Sequence, residues 1–476
     1  MTSKKQFYHP LLLLTGLAYL AIAVPYGHCQ SILPAGNAIE SENGTGVSRT
    51  ITTKKSFNQA SAFFKSLGTN GRSCATCHTL TEGLNLSPEH AEQVFNETQG
   101  LDPLFATVDG TNAPNVDMST LEARAAHTTM LRTKGLIRVQ FHMPLNAQFS
   151  IEQAEDPYNF ASTTDISCFR RPLPSTNLRF LSSVMWDGRE SASEPSIRKA
   201  LKSQIKDAVA GHMEGIAPPS ESDINDIINF ETSLYTTQIF DNNAGTLEGR
   251  MLRASPEHLS KIPFYIGINQ ILNILPRKTP GDKNVFTMFE RWQRRIEQPT
   301  ALQQAQLSVA RGEKLFNSRR FIISDVPGLN DAFEQLPPRQ RGRFVSFKKT
   351  TQLAGTCSSC HNTPMVGSNS LPLLMNTGTA DGARRTPDLP LYTLKNNTSG
   401  LSITTTDPGA AMTSGKWHDI GKFKVPSLRG LETHSPYMHN GFSGDLLDII
   451  EFYNRRFQIG LSGREQEDLK AFLQTL

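Results

Sequence analysis

Long apolar runs, basic runs and spare cysteines are what this chain of 476 residues lacks. Only one stretch, Leu11–Val24, is apolar over 14 residues, short of the roughly 20 that a membrane-spanning helix needs. It follows Lys4 and Lys5, so residues 1–30 read as an export signal cleaved between Ala23 and Gln30, and the expected location is the periplasm. An uncleaved anchor and a lipid-modified Cys29 are the alternatives, although Tyr26-Gly27-His28 is a poor context for the second. Lys/Arg-rich runs are missing and the net charge is only +4, which gives no reason to expect a nucleic-acid partner. Six cysteines are present, and with 38% hydrophobic and 19% charged residues the chain can bury ordinary cores in two or three domains.

Four of those cysteines fall in two copies of one pentapeptide, Cys74-Ala75-Thr76-Cys77-His78 and Cys357-Ser358-Ser359-Cys360-His361. At this composition a chance match is expected roughly 0.002 times per chain, so two are not coincidence. Zinc sites and redox dithiols also use Cys-x-x-Cys, but neither explains a His directly after both pairs. The pattern is that of c-type haem attachment: two thiols form thioethers and the His supplies iron's proximal nitrogen. The expected cofactors are two covalently bound haem c groups, with His78 and His361 as metal ligands. Once Cys29 leaves with the signal, Cys168 has no intrachain partner and is expected to be a small buried apolar residue.

The Gly-, Ser- and Asn-rich stretch 31–50 reads as a flexible arm. Helical spacing is predicted for 57–67, 221–235 (with Ser220 as N-cap), 286–296, 302–316 and 463–476, while 81–180 and 362–415 read as loops and short helices. No sustained β alternation stands out. A helix followed by a haem motif occurs twice, which predicts an all-α fold of two cytochrome-c-like haem domains with long loops. The boundaries are 51–299 and 300–476.

Further residues carry a family resemblance. Met185-Trp186-Asp187-Gly188-Arg189 follows the first pentapeptide. Phe423-Lys424-Val425-Pro426-Ser427-Leu428-Arg429 and Ser435-Pro436-Tyr437-Met438-His439-Asn440-Gly441 follow the second. In this order, from about Arg72 to Leu476, the chain resembles the bacterial dihaem cytochrome c peroxidase superfamily, including the MauG-like enzymes. A long insertion between His78 and Trp186 departs from the shortest members. The resemblance implies that the first haem meets hydrogen peroxide, that the second transfers electrons, and that Trp186 couples them. It also implies a Gln and a catalytic Glu ten residues apart after the Trp element, matched by Gln204 and Glu214. His212 is the alternative proton carrier.

For the second haem's other axial ligand the resemblance points to Tyr453, 14 residues past His439, where MauG-like members have Tyr and typical peroxidases Met. Met438 and Met412 are the alternatives. An open first haem is the default, with His90, His127 and His142 as other candidate ligands. The family often holds calcium through an Asn side chain and carbonyls near the Pro-Tyr element. Here His434, Pro436 and a displaced Asn177 would have to serve. The implied electron source is a small cytochrome or cupredoxin, or a residue of a protein substrate, and a homodimer is a common family assembly. A non-enzymatic dihaem electron carrier is the competing function.

Overall fold

The computed structural model describes residues 36–191, 197–249, 251–269, 284–324, 326, 329–330 and 352–476. The segment 1–30 expected to direct export, with Cys29, lies outside them. Among the described residues the fold is mixed α/β, 32% helix and 19% strand, which corrects the all-α expectation. Among the described residues no helix is long and apolar enough to cross a membrane.

The stretch expected to be a flexible arm contains most of a hairpin, Ala38–Asn43 with Gly46–Thr52. Asn43 Oδ1 closes its turn by accepting from the backbone N–H of Thr45 and Gly46, at 3.1 and 3.0 Å. The second strand pairs with Leu234–Asp241 in a four-stranded antiparallel sheet. Its buried positions include Ser48, Thr50 and Thr52, so the hydropathy alternation that normally announces a strand is missing. Hydroxyl pairs fill that interior instead, Thr50 with Thr236 and Thr52 with Ser233, both at 2.8 Å.

The insertion between His78 and Trp186 is also partly β. Ile137–His142 pairs with Asp165–Arg170, and Phe149–Glu155 pairs with Leu391–Asn396, which in turn pairs with Ser402–Thr405. Residues 362–415 therefore contain strands as well as loops. Cys168 lies on the buried strand of the first pair.

The helices expected at 221–235, 302–316 and 463–476 form as Glu221–Glu231, Ala301–Ser318 and Gly463–Leu473, capped by Ser220, Thr300 and Ser462, the first ending early because Leu234 opens strand Leu234–Asp241. The patterns at 57–67 and 286–296 yield only single turns, Ala62–Phe64 and Glu290–Trp292. Their apolar side chains are buried by packing on neighbours rather than by helix formation. Phe286, for example, packs edge-on against Phe316 and Phe472 at 5.3 and 5.4 Å between ring centroids.

Helix Ala301–Ser318 lies so close to Gly463–Leu473 that a methyl group on Gly312 would meet the Asp468 carbonyl oxygen at 1.9 Å. Arg311 and Ser308 clasp the Asp468 carboxylate across the same contact. Gly312→Ala should therefore destabilise the protein by about 1–3 kcal/mol through overpacking, read as a lower urea midpoint in holoprotein. An unchanged midpoint would mean the two helices can separate without cost.

Candidate haem-binding site

The two pentapeptides fold into matching turns, Cys74–Thr76 and Cys357–Cys360. Each is closed from the outside in the same way. The backbone N–H of Ser73 donates to Thr76 Oγ1 at 3.0 Å, and that of Thr356 donates to Ser359 Oγ at 2.8 Å. Each His then folds back on its first Cys, with His78 N–H to Cys74 O at 3.0 Å and His361 N–H to Cys357 O at 3.1 Å. The imidazoles are fixed by their inner nitrogens, His78 Nδ1 on Leu84 O at 3.1 Å and His361 Nδ1 on Gly367 O. With Nδ1 so engaged, Nε2 is the nitrogen left to bind a metal. Burial lowers both imidazoles to about 4, which keeps them neutral as a ligand must be.

Both turns open on one cavity of about 400 Å³, whose wall includes Cys74, Cys77, His78, Cys357, Cys360 and His361. These residues fit haem c. All four thiols are free of disulfides. Burial raises Cys77 and Cys360 to about 11, which disfavours a reactive thiolate redox pair. No group of three or more potential metal ligands of the His, Cys, Asp and Glu types exists among the described residues, so a closed zinc site is not formed there. The buried Lys424 lines the cavity and makes no ion pair among the described residues, leaving an ammonium suited to a haem propionate.

Trp186, Gln204, His212, Met438 and Tyr453 all line this cavity. Tyr453 stands on helix Leu446–Arg456, stacked on Phe457 at 5.7 Å, and burial raises its hydroxyl to about 12. Met438 has a left-handed backbone, φ 70°. Met412 is buried in the cluster around Tyr392, away from the cavity wall. Glu214 does not line the cavity either: it is exposed, and its carboxylate accepts from Asn70 Nδ2 at 3.1 Å. His90, His127 and His142 are not among the lining residues.

Trp186 is held from several sides. Its Nε1–H donates to Arg171 O at 2.8 Å, its carbonyl accepts from Lys424 N–H at 2.8 Å, and its ring meets His439 at 6.2 Å. His439 stacks on Phe423 at 4.0 Å. Beneath them, Arg170 bonds Asp187 at 2.8 Å and grips Asp407 with two donors at 2.7 and 3.0 Å. Burial alone would raise both carboxyls, but Arg170 holds them below the usual carboxylate range.

The sequence reading missed Arg72 and Asp109, which also line the cavity. Asp109 accepts from Arg72 and from His212 Nδ1.

Of the oxygen donors expected around calcium, the Asn177 side chain is engaged elsewhere. Asn177 Nδ2 donates to Thr236 O and its Oδ1 accepts from Thr236 N–H, at 3.0 and 3.2 Å. Beside His434 and Pro436, the buried Arg171 guanidinium donates to the carbonyls of Lys134, Gly135 and Ser435, each at 3.1 Å. A side-chain cation thus gathers carbonyls where the resemblance suggests a metal.

No family model matches the sequence. Curated relatives do. The chain is 36% identical over 135 residues to the cytochrome-c peroxidase IdrP2 of Denitromonas iodatirespirans, covering 26% of this chain and 36% of that protein. It is 27% identical over 230 residues to IdrP1 of Pseudomonas sp. (strain SCT), covering 43% and 55%. It is 41% identical over 69 residues to the methylamine utilization protein MauG of Paracoccus denitrificans (strain Pd 1222), covering 14% and 18%. The matched regions thus span from under a fifth to just over half of these relatives. A solved MauG-like protein associated with microbial copper homeostasis aligns over 87% of each chain at 13% identity and a TM-score of 0.37. The site is that of a c-type cytochrome. Within that class, the chain is similar over part of its length to cytochrome-c peroxidases and to MauG.

With Arg171 in place, a chelator should leave the holoprotein's Tm unchanged, whereas Arg171→Ala should cost about 1–3 kcal/mol by orphaning buried carbonyls. A chelator-induced fall in Tm, reversed by calcium, would show that a metal is needed after all.

Proposed function

We propose that the protein is an exported dihaem c-type peroxidase, with 51–299 carrying the peroxide-reacting haem and 300–476 the electron-transfer haem. Electrons would come from a small cytochrome or cupredoxin, or from a residue of a protein substrate. The observation that carries this reading is that both pentapeptides and Trp186 face one cavity. Haem c supplies redox-active iron when bound; the chain's residues hold, couple and protonate around it. His78 and His361 would present neutral Nε2 atoms. Gln204 and His212 stand on the cavity wall to orient peroxide and move its proton. Trp186, locked by its hydrogen bonds, offers an indole to both sites. Tyr453 reaches the cavity from its helix and would be the favoured further protein ligand of the second haem, with Met438 also within the wall. A tyrosinate is a hard anionic donor that favours oxidised iron, which supports the reading in which a protein residue is oxidised.

A dihaem electron carrier remains the competing function, and the two differ in one measurement. The peroxidase reading expects two haems per chain and a high-spin ferric signal that changes on adding hydrogen peroxide. Two low-spin signals, inert to peroxide in every redox state, would establish the carrier. In the enzyme, Tyr453→Met should raise the second haem's potential by on the order of 100 mV or more, because axial ligands set haem potentials over a wide range. An unmoved potential would remove Tyr453 from the ligand set.

A further inference from the structure

We infer that Asp109 is a positioning residue for His212, and that this pair, rather than Glu214, moves the proton when peroxide is cleaved. The inference rests on the peroxidase reading above.

The backbone explains why His212 and not Glu214 reaches the cavity. Gln204, Ala208 and His212 follow each other at four-residue steps along and just past helix Arg198–Gly211, and all three line the wall. His212 still belongs to that helical path, its N–H donating to Ala208 O at 2.9 Å. Two residues later the chain turns away, with Glu214 in the left-handed region at φ 53°. The His212 carbonyl is pinned by Asn70 Nδ2 at 2.9 Å and Arg72 Nη1 at 3.2 Å.

The imidazole is oriented by a carboxylate that cannot turn. Asp109 Oδ2 accepts from His212 Nδ1 and Asp109 Oδ1 accepts from Arg72. Asp109 is 6% and Arg72 3% exposed, whereas His212 is 38% exposed where it fronts the cavity. Arg72 is itself fixed on Pro103 O at 2.7 Å and Leu104 O at 2.8 Å. Burial would raise the Asp109 carboxyl, but Arg72 and His212 hold it below its ordinary range. An anionic Asp109 selects the tautomer with the proton on Nδ1 and leaves the Nε2 lone pair free. Carboxylate, imidazole and a reactive oxygen in series are the arrangement that orients a general base.

The step balances as a proton relay. Nε2 takes the proton from one oxygen of hydrogen peroxide and delivers it to the other as the O–O bond breaks, releasing one water. The remaining oxygen leaves as a second water after uptake of two further protons and the two electrons of the proposed donor, redox chemistry that haem c would supply when bound. The titratable and charged groups beside His212 are Asp109 and Arg72 from their loops, with His78 on the same cavity wall.

The test is the rate of the peroxide reaction, followed by stopped-flow absorbance in holoprotein of normal haem content. His212→Gln should slow it by about 100-fold or more, the usual contribution of a general acid–base group, and by far more than Glu214→Gln. Asp109→Asn should slow it less, because the imidazole loses the carboxylate that orients it. Asp109→Glu, which keeps a carboxylate there, should restore most of that loss. If Asp109→Asn does not accumulate with haem, Asp109→Glu and His212→Gln decide: a rate in the first as low as in the second, or a normal rate in the second, overturns the pairing. A greater loss in Glu214→Gln than in His212→Gln overturns it too, as does a normal rate in Asp109→Asn. Wild-type protein inert to peroxide would instead sink the peroxidase reading itself.

Discussion

One buried guanidinium organises this protein. Arg170 sits almost without solvent between Asp187 of the Trp-Asp-Gly-Arg element and Asp407 from the region after the second pentapeptide. Two carboxylates and one arginine, each removed from water, are tolerable only as a set, and deleting one partner from such a group typically costs about 3–5 kcal/mol. Arg189 completes the neutralisation by bonding Asp187 at 2.6 Å. Because Asp187 adjoins Trp186 and Asp407 lies 4.0 Å from His439, the network also sets the rings that border the cavity. Its return is geometric definition more than stability, since an apolar substitute of equal volume would pack as well.

How much of this was legible in the sequence varies by element, for physical reasons. The pentapeptides carry their chemistry in consecutive residues, so spacing suffices. The helices at 221–231, 301–318 and 463–473 announce themselves by a capping hydroxyl and an apolar stripe. Several strands are hard to read because part of what they bury is polar or charged. Thr50 and Thr52 face hydroxyls, and Asp165–Arg170 buries Ser167, Cys168 and Arg170 together. A hydropathy period cannot register a face built from threonine pairs. Strand pairing added a second obstacle, because Phe149–Glu155 meets a partner more than 230 residues away in sequence, Leu391–Asn396.

The site shows the same division. Trp186, Gln204 and Tyr453 were found through motifs and fixed spacings and His212 as an alternative beside Glu214, and all four line the cavity. Glu214 satisfied its spacing and misses the cavity, because one left-handed residue redirects the chain after the helix ends. Spacing counts residues; it does not know where the helix stops. Asp109 and Arg72 belong to no motif, and their role depends on two loops meeting, which no local pattern encodes.

The insertion between His78 and Trp186, which the resemblance leaves unexplained, supplies the joints of the structure. It contributes Arg170 to the buried network and Phe149–Glu155 to a sheet with the C-terminal region. It brings Lys134 and Gly135 to Arg171, whose third carbonyl comes from Ser435. It also places Asp109 against His212. A bound divalent ion would join such segments reversibly, at the mercy of its concentration. A covalently attached guanidinium cannot dissociate, and burial lowers it only to about 10, so it stays charged at neutral pH. Arg171 also receives the indole of Trp186 on its own carbonyl, so the cation that holds the segments together and the ring proposed to couple the haems share one backbone position. Moving one therefore moves the other. That linkage ties the position of the indole to the carbonyls of Lys134, Gly135 and Ser435.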